Sequence, residues 1–246
     1  MGDLPKKLSR DAILEALLEI RFETKQVGEL LVGRLASAPL FDGYDVSRLP
    51  LASFPAEVRD ADPNLRYQPT LQLVSPSINE LIKIGPYAIS MHALAPYQGW
   101  DVLSDRLSMM IDMLFGAVSD LSVSRLGLRY VNAITPAHGV NRISDLRFSV
   151  ELSGQQVNPE MVFSHRFAAA PDIHGTLSLA TPSFVSGSNI PNECAAFVDI
   201  DIFTPQALGR TNPEAVLHWI ERAHDVEKQT FFGLFSEEQI EALRER

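Results

Sequence analysis

The stretch that decides the fold is residues 124–134, S-R-L-G-L-R-Y-V-N-A-I. Alternate residues of an extended chain point to opposite sides. Leu126, Leu128, Tyr130, Asn132 and Ile134 therefore share one face, and Arg125, Gly127, Arg129, Val131 and Ala133 share the other. Neither face is purely polar. This pattern predicts a central strand with material packed over both faces of its sheet. Arg129, Tyr130 and Asn132 lie within four residues and form the most chemically varied cluster in the chain.

Before this strand, residues 13–23, I-L-E-A-L-L-E-I-R-F-E, admit two readings. A helix clusters Ile13, Leu14, Leu17 and Leu18, and Ala, Leu and Glu are good helix formers. A strand puts Leu14, Ala16, Leu18, Ile20 and Phe22 on one face. The strand is preferred because it also places Ile20 and Phe22 inside. Val27–Ala38 reads as a short helix burying Leu30, Leu31 and Leu35, ended by Pro39. Residues 39–66 hold prolines 39, 50, 55 and 63 among Phe41, Tyr44 and Phe54, and read as an irregular loop pinned by aromatics. Strands are expected at 67–75, 80–84 and 87–94, with Gly85-Pro86 at a tight reversal. Trp100–Phe115 reads as an amphipathic helix, with Trp100, Leu103, Leu107, Met110, Ile111 and Leu114 on one side.

Beyond the opening strand, strands are expected at 145–152, 161–169, 174–181 and 194–203. Asn212-Pro213 starts a helix, with Asn as cap and Pro in the first turn. Leu217, Ile220, His224 and Phe231 recur along it at helical spacing, and Ser236-Glu237-Glu238 opens a last short helix. Ala95-Pro96 and Thr204-Pro205 each close a strand ahead of a Trp-bearing helix. The expected fold is a single α+β domain, antiparallel sheet with two main amphipathic helices packed against it. Two similar halves, roughly 1–135 and 136–246, are a hypothesis that the proline echo suggests.

Charge narrows the function classes. The net charge is −10, divided equally between residues 1–123 and 124–246. No basic patch is available to hold a nucleic-acid backbone, so no nucleic acid is expected. An acidic surface suits a basic protein partner, or serves solubility alone. The single cysteine, Cys194, excludes an internal disulfide and a Cys-rich metal site. The opening decapeptide has no signal-peptide core, and no run approaches the roughly 18 apolar residues of a membrane span. A cytoplasmic protein is expected.

Motifs are sparse. The histidines, at 92, 138, 165, 174, 218 and 224, form neither H-x-x-x-H nor H-E-x-x-H. G-x-x-x-x-G-K, G-x-G-x-x-G and G-x-S-x-G are absent, so no metal or other cofactor is expected and a serine hydrolase is disfavoured. Three groupings remain as binding candidates. Tyr130 and Asn132 share a face, while Arg129 on the opposite face suits a carboxylate or phosphate clamp, or a structural ion pair. Asp199 and Asp201 share a strand face about 7 Å apart, a spacing for a divalent ion, for acid–base work or for a half-solvated sheet face; Phe197 and Phe203 flank them there. His224 lies at the edge of the apolar stripe of the last long helix, one turn before Lys228.

Four stretches carry a family resemblance: residues 4–22, L-P-K-K-L-S-R-D-A-I-L-E-A-L-L-E-I-R-F; 96–100, P-Y-Q-G-W; 125–134, R-L-G-L-R-Y-V-N-A-I; and 223–238, A-H-D-V-E-K-Q-T-F-F-G-L-F-S-E-E. Together they make the chain resemble an uncharacterised bacterial family of comparable length, distributed sporadically among genomes. The resemblance implies no catalytic signature, no cofactor and no assigned partner. Its patchy distribution is similar to that of accessory genes, including defence and toxin–antitoxin genes.

Three functions follow as expectations. The first is a non-catalytic interaction or regulatory protein acting on a basic partner in an accessory defence or toxin–antitoxin-like system, which the acidic charge, the missing catalytic signatures and the distribution of the resembled family motivate. The second is a small-ligand-binding protein with a helix–sheet pocket near Arg129, Tyr130 and Asn132. The third is an enzyme of unrecognised type, which requires Asp199, Asp201 and His224 to converge.

Overall fold

The computed structural model describes residues 4–5, 8–156, 160–185 and 190–244. The strands are β1 (Ile13–Glu23), β2 (Asp45–Arg48), β3 (Leu71–Val74), β4 (Glu80–Gly85), β5 (Ala88–Leu94), β6 (Ser122–Ile134), β7 (Glu151–Leu152), β8 (Gln155–Gln156), β9 (Val162–Ala170), β10 (Ile173–Ala180) and β11 (Ala196–Phe203). The helices are α1 (Gly28–Ala36), α2 (Ala56–Ala61), α3 (Trp100–Ala117), α4 (Pro213–Phe232) and α5 (Glu237–Ala242). Nine strands form one antiparallel sheet in the order β2-β3-β4-β5-β1-β6-β11-β10-β9, and β7–β8 is a separate small hairpin. The protein is an α+β protein.

The strand reading of residues 13–23 holds because burial has the two-residue period: Ala16, Leu18, Ile20 and Phe22 are buried and their neighbours only partly so. β1 and β6 pair along most of their length at the centre of the sheet, Leu18 opposite Leu128 and Ala16 opposite Tyr130. Connectivity repeats on either side of this pair. β1 leads to the meander β3–β4–β5, which returns to β1 and is followed by α3. β6 leads to β9–β10–β11, which returns to β6 and is followed by α4. The connectivity therefore divides before Ser122, ahead of the boundary near residue 135 that the proline echo suggested.

One expectation about the centre is overturned. β6 is central, but α1, α3 and α4 all pack on one face of the sheet: α1 over β3 and β4, α3 over β5, and α4 over β6 and β11. The opposite face carries Glu19, Arg125, Arg129, Asp199 and Asp201, paired across strands, among apolar residues such as Val131 and Phe203. On the helix face one core runs from Leu31 and Leu35 of α1 through Leu107, Met110 and Leu114 of α3 to Trp219, Ile220 and Ala223 of α4. At roughly 25 cal/mol per Å² of apolar surface removed from water, this burial is the main force holding helices to sheet.

Other differences have local causes. Residues 39–66 are more regular than expected, with the edge strand β2, the helix α2 and two short 3-10 turns at Pro39–Phe41 and Pro50–Ser53, both begun by a proline with its φ already set. The strand expected at 67–75 forms only over Leu71–Val74. That expected at 145–152 is mostly absent, a 3-10 turn at Ile143–Asp145 taking its start and β7 its end. α1 turns Leu31, Val32 and Leu35 inward and leaves Leu30 71% exposed, because the face toward β3 and β4 falls one residue further on.

Candidate functional site

The two faces of β6 carry different chemistry. On the face away from the helices, Arg129 binds Asp199 of β11 through Nε to Oδ1 at 2.7 Å and Nη2 to Oδ2 at 2.5 Å, a two-pronged pair. Arg125 reaches Glu19 of β1 at 3.0 Å and Asp201 of β11 at 2.9 Å, and lies 5.2 Å from the ring centre of Phe203. Gly127 makes this bridge possible, since a Cβ built there would come within 2.2 Å of the Arg125 guanidinium. On β5, His92 bonds Glu15 through Nδ1 at 2.6 Å and Ser90 through Nε2 at 2.8 Å, and this bond holds the Glu15 carboxyl below its usual range. Burial lifts Asp201 upward against the pull of Arg125. Arg129, Asp199 and Asp201 are thus engaged with one another's strands across the sheet.

The helix face of β6 bears Tyr130 and Asn132, both 2% exposed. Tyr130 points at the junction of α3 and α4. Its hydroxyl lies 3.4 Å from the hydroxyl of Tyr97 and 3.4 Å from Nδ1 of His224. The His224 ring stacks on Trp100, centroids 3.8 Å apart and planes 10° from parallel. Asn132 donates from Nδ2 to the Val198 carbonyl at 3.4 Å. Tyr97 and Trp100 are brought together by the turn into α3. Asp11 accepts the Tyr97 backbone N–H at 3.0 Å, and Gly99 has φ 105°, a left-handed conformation that a side-chain-bearing residue would strain to adopt.

These residues line a cavity of about 90 Å³ together with Ile13, Phe231, Glu227 and Lys228. That is well above the roughly 10–15 Å³ needed for one water. Its walls are mainly aromatic and aliphatic, with a few converging polar groups, the usual make-up of a small-molecule site. Glu227, 6% exposed, is the unusual member. Its Oε2 lies 3.9 Å from Nδ1 of His224, too long for a hydrogen bond. Burial drives the Glu227 carboxyl up to about 8, partly opposed by Lys228. Burial, with Lys228 adding to it, drives His224 down to about 4. Near neutral pH the pair is therefore a neutral imidazole beside a mostly protonated carboxyl, not an ion pair. Burial also raises Tyr97 and Tyr130.

The structure brings Tyr130, Asn132 and His224 together and leaves Arg129, Asp199 and Asp201 on the other side of the sheet. Two expectations are corrected by this. Arg129 does not belong to the pocket, because strand alternation turns it away from Tyr130 and Asn132. Asp199, Asp201 and His224 do not converge, because β11 presents its aspartates opposite the face on which α4 packs. Among the described residues, no three His, Cys, Asp or Glu side chains cluster closely enough to hold a metal ion. Sequence reading missed Glu227 and treated Trp100 only as core. A signal for Glu227 existed: it falls four residues after Ala223 and four before Phe231, on the face that α4 buries.

No protein-family model matches the chain, and no curated protein matches it. Among the described residues, no helix is long and apolar enough to cross a membrane.

Proposed function

We propose that this protein binds a small organic ligand in the cavity between β6, α3 and α4, in preference to the regulatory-interaction reading that net charge alone suggests. The observation that carries the proposal is the Glu227 carboxyl, on a residue 6% exposed, which faces an apolar cavity and takes no hydrogen bond from any described residue. A ligand that gives an N–H or O–H to this carboxyl inside an apolar cavity makes a hydrogen bond that the described residues do not supply. Tyr130, Asn132 and His224 are the residues assigned to binding, with Glu227, Tyr97 and Trp100 added. Arg129, Asp199 and Asp201 are assigned to the sheet. We place this function in the cytoplasm, in keeping with a chain that carries one cysteine.

The chain has two tryptophans, which makes the test direct. Trp100 lines the cavity, whereas the indole N–H of Trp219 donates to the Asp172 carbonyl at 3.0 Å. In NMR spectra recorded against a library of small amines, acids and neutral heteroaromatics, at least one class moves the Trp100 indole signal and leaves that of Trp219 in place. A library in which nothing moves the Trp100 signal refutes the proposal.

A further inference from the structure

The cavity's least satisfied polar group is an acid. Glu227 offers two carboxyl oxygens with no hydrogen-bond donor among the described residues. Asn132 gives one amide N–H to Val198, which leaves its second N–H and its carbonyl oxygen over. Tyr97 and Tyr130 hold their hydroxyl oxygens 3.4 Å apart, at the limit of a bond. The neutral imidazole of His224 has one acceptor nitrogen and one N–H donor, with Nδ1 3.4 Å from the Tyr130 hydroxyl. Around these lie the faces of Tyr97, Trp100, Tyr130 and Phe231, whose π-systems attract positive charge. An acid with no hydrogen-bond partner and aromatic walls are together complementary to one chemical class.

We infer that the ligand is a small organic cation bearing N–H groups, a protonated amine, amidine or guanidine on an apolar body. Its charged end meets Glu227 and Asn132, and its body lies against Trp100 and Phe231. This rests on the ligand-binding reading above and names the ligand class for it. Binding couples to a proton: the cation pairs with the carboxylate, so Glu227 releases its proton as the ligand enters. The titratable and charged groups around Glu227 are His224 and Lys228 on α4, Tyr130 on β6 and Tyr97 ahead of α3. His224 is already neutral and the tyrosines are held protonated, so Glu227 is the group whose charge changes near neutral pH. Lys228 favours the Glu227 carboxylate and is at the cavity wall, so a ligand with an acidic group at its far end fits as well as a plain amine.

The test is calorimetry with n-butylamine hydrochloride, n-butanol and tetramethylammonium chloride on the full chain. Butylammonium remains protonated at pH about 9, as a lysine side chain does. There it binds at least about tenfold tighter than butanol, the difference expected for a hydrogen bond to a buried charge. Its affinity falls by more than about tenfold toward pH about 6.5 as Glu227 takes up its proton. Tetramethylammonium, which has no N–H to give, binds more weakly than butylammonium. Glu227→Gln, nearly isosteric and checked by its melting curve, removes both the preference for the cation and the pH dependence. Butanol binding as tightly as butylammonium at high pH overturns the inference and leaves the ligand-binding reading standing. So does an unchanged preference in Glu227→Gln. Silence from all three probes, with the Trp100 indole signal also unmoved by the wider library, overturns both.

Discussion

The two faces of β6 hold comparable amounts of polar chemistry and use it in opposite ways. On the open face both arginines of β6 have partners on the neighbouring strands: Arg125 with Glu19 and Asp201, Arg129 with Asp199. These groups are partly solvated, so their pairing is screened and individually weak. On the helix face Tyr130, Asn132, His224 and Glu227 are mostly buried, and their contacts with one another are long or absent. Polar groups that are exposed and paired hold strands in register. Polar groups that line a cavity with long contacts to one another are available to a ligand, and that difference supports the site proposed on the helix face.

Substitutions on neighbouring residues of β6 break the comparison most sharply. Tyr130→Ala removes a fully buried ring at the helix–sheet contact and costs on the order of 3–5 kcal/mol in chemical denaturation. Arg129→Ala, one residue away on the other face, costs at most about 1 kcal/mol, since its side chain is 45% exposed. Equal costs for the two would remove the distinction.

Glu227→Gln comes next and acts through pH. The folded-state value of Glu227 is raised from 4.5 to about 8, so the folded protein holds a proton that the unfolded chain has released. Its contribution is fully present below about pH 4.5 and is lost as pH rises through about 8. His224 acts with the opposite sign: depressed from 6.5 to about 4, it costs stability as pH falls below 6.5. Between pH 6.5 and 8 the Glu227 effect stands alone, so the melting temperature of the native protein declines across that window. Glu227→Gln flattens the decline and melts higher at pH 8. A variant that keeps the native slope would mean that the titrating group lies elsewhere.

Smaller effects sharpen the picture of the open face. Gly127→Ala pushes the Arg125 guanidinium off its bridge between Glu19 and Asp201, at a cost of about 1 kcal/mol, the value of a hydrogen bond or two at a half-exposed site. Combined with Arg125→Ala the penalty largely disappears, because the obstructed group is gone. The smallest effect is the coupling of Arg129 with Asp199, which a double-mutant cycle would place at roughly 0.2–1 kcal/mol and which added salt would shrink.

Much of this architecture was legible in the chain. Two-residue alternation marked β1 and β6 and separated Arg129 from Tyr130 and Asn132. The apolar stripe marked α3, and Asn212-Pro213 marked the start of α4. What was not legible depends on which surfaces meet. Alternation shows that β6 has two semi-apolar faces, but not that all three long helices choose the same one. Leu30 reads as inward because it is apolar, yet it turns outward by one position of helical phase. A glutamate on a long helix ordinarily faces water, and only the tertiary structure reveals Glu227 as buried. The pocket itself joins residues 97, 100, 130, 132, 224 and 227, whose proximity is a tertiary fact.

The most direct measurement is a ¹³C NMR titration of the Glu227 side-chain carboxyl, assigned by comparison with Glu227→Gln. A midpoint near 8 is expected in the ligand-free protein, displaced downward by a bound amine. A midpoint at the ordinary glutamate value near 4.5, unaffected by amines, would show the carboxyl to be solvated and would rule out the proposed site.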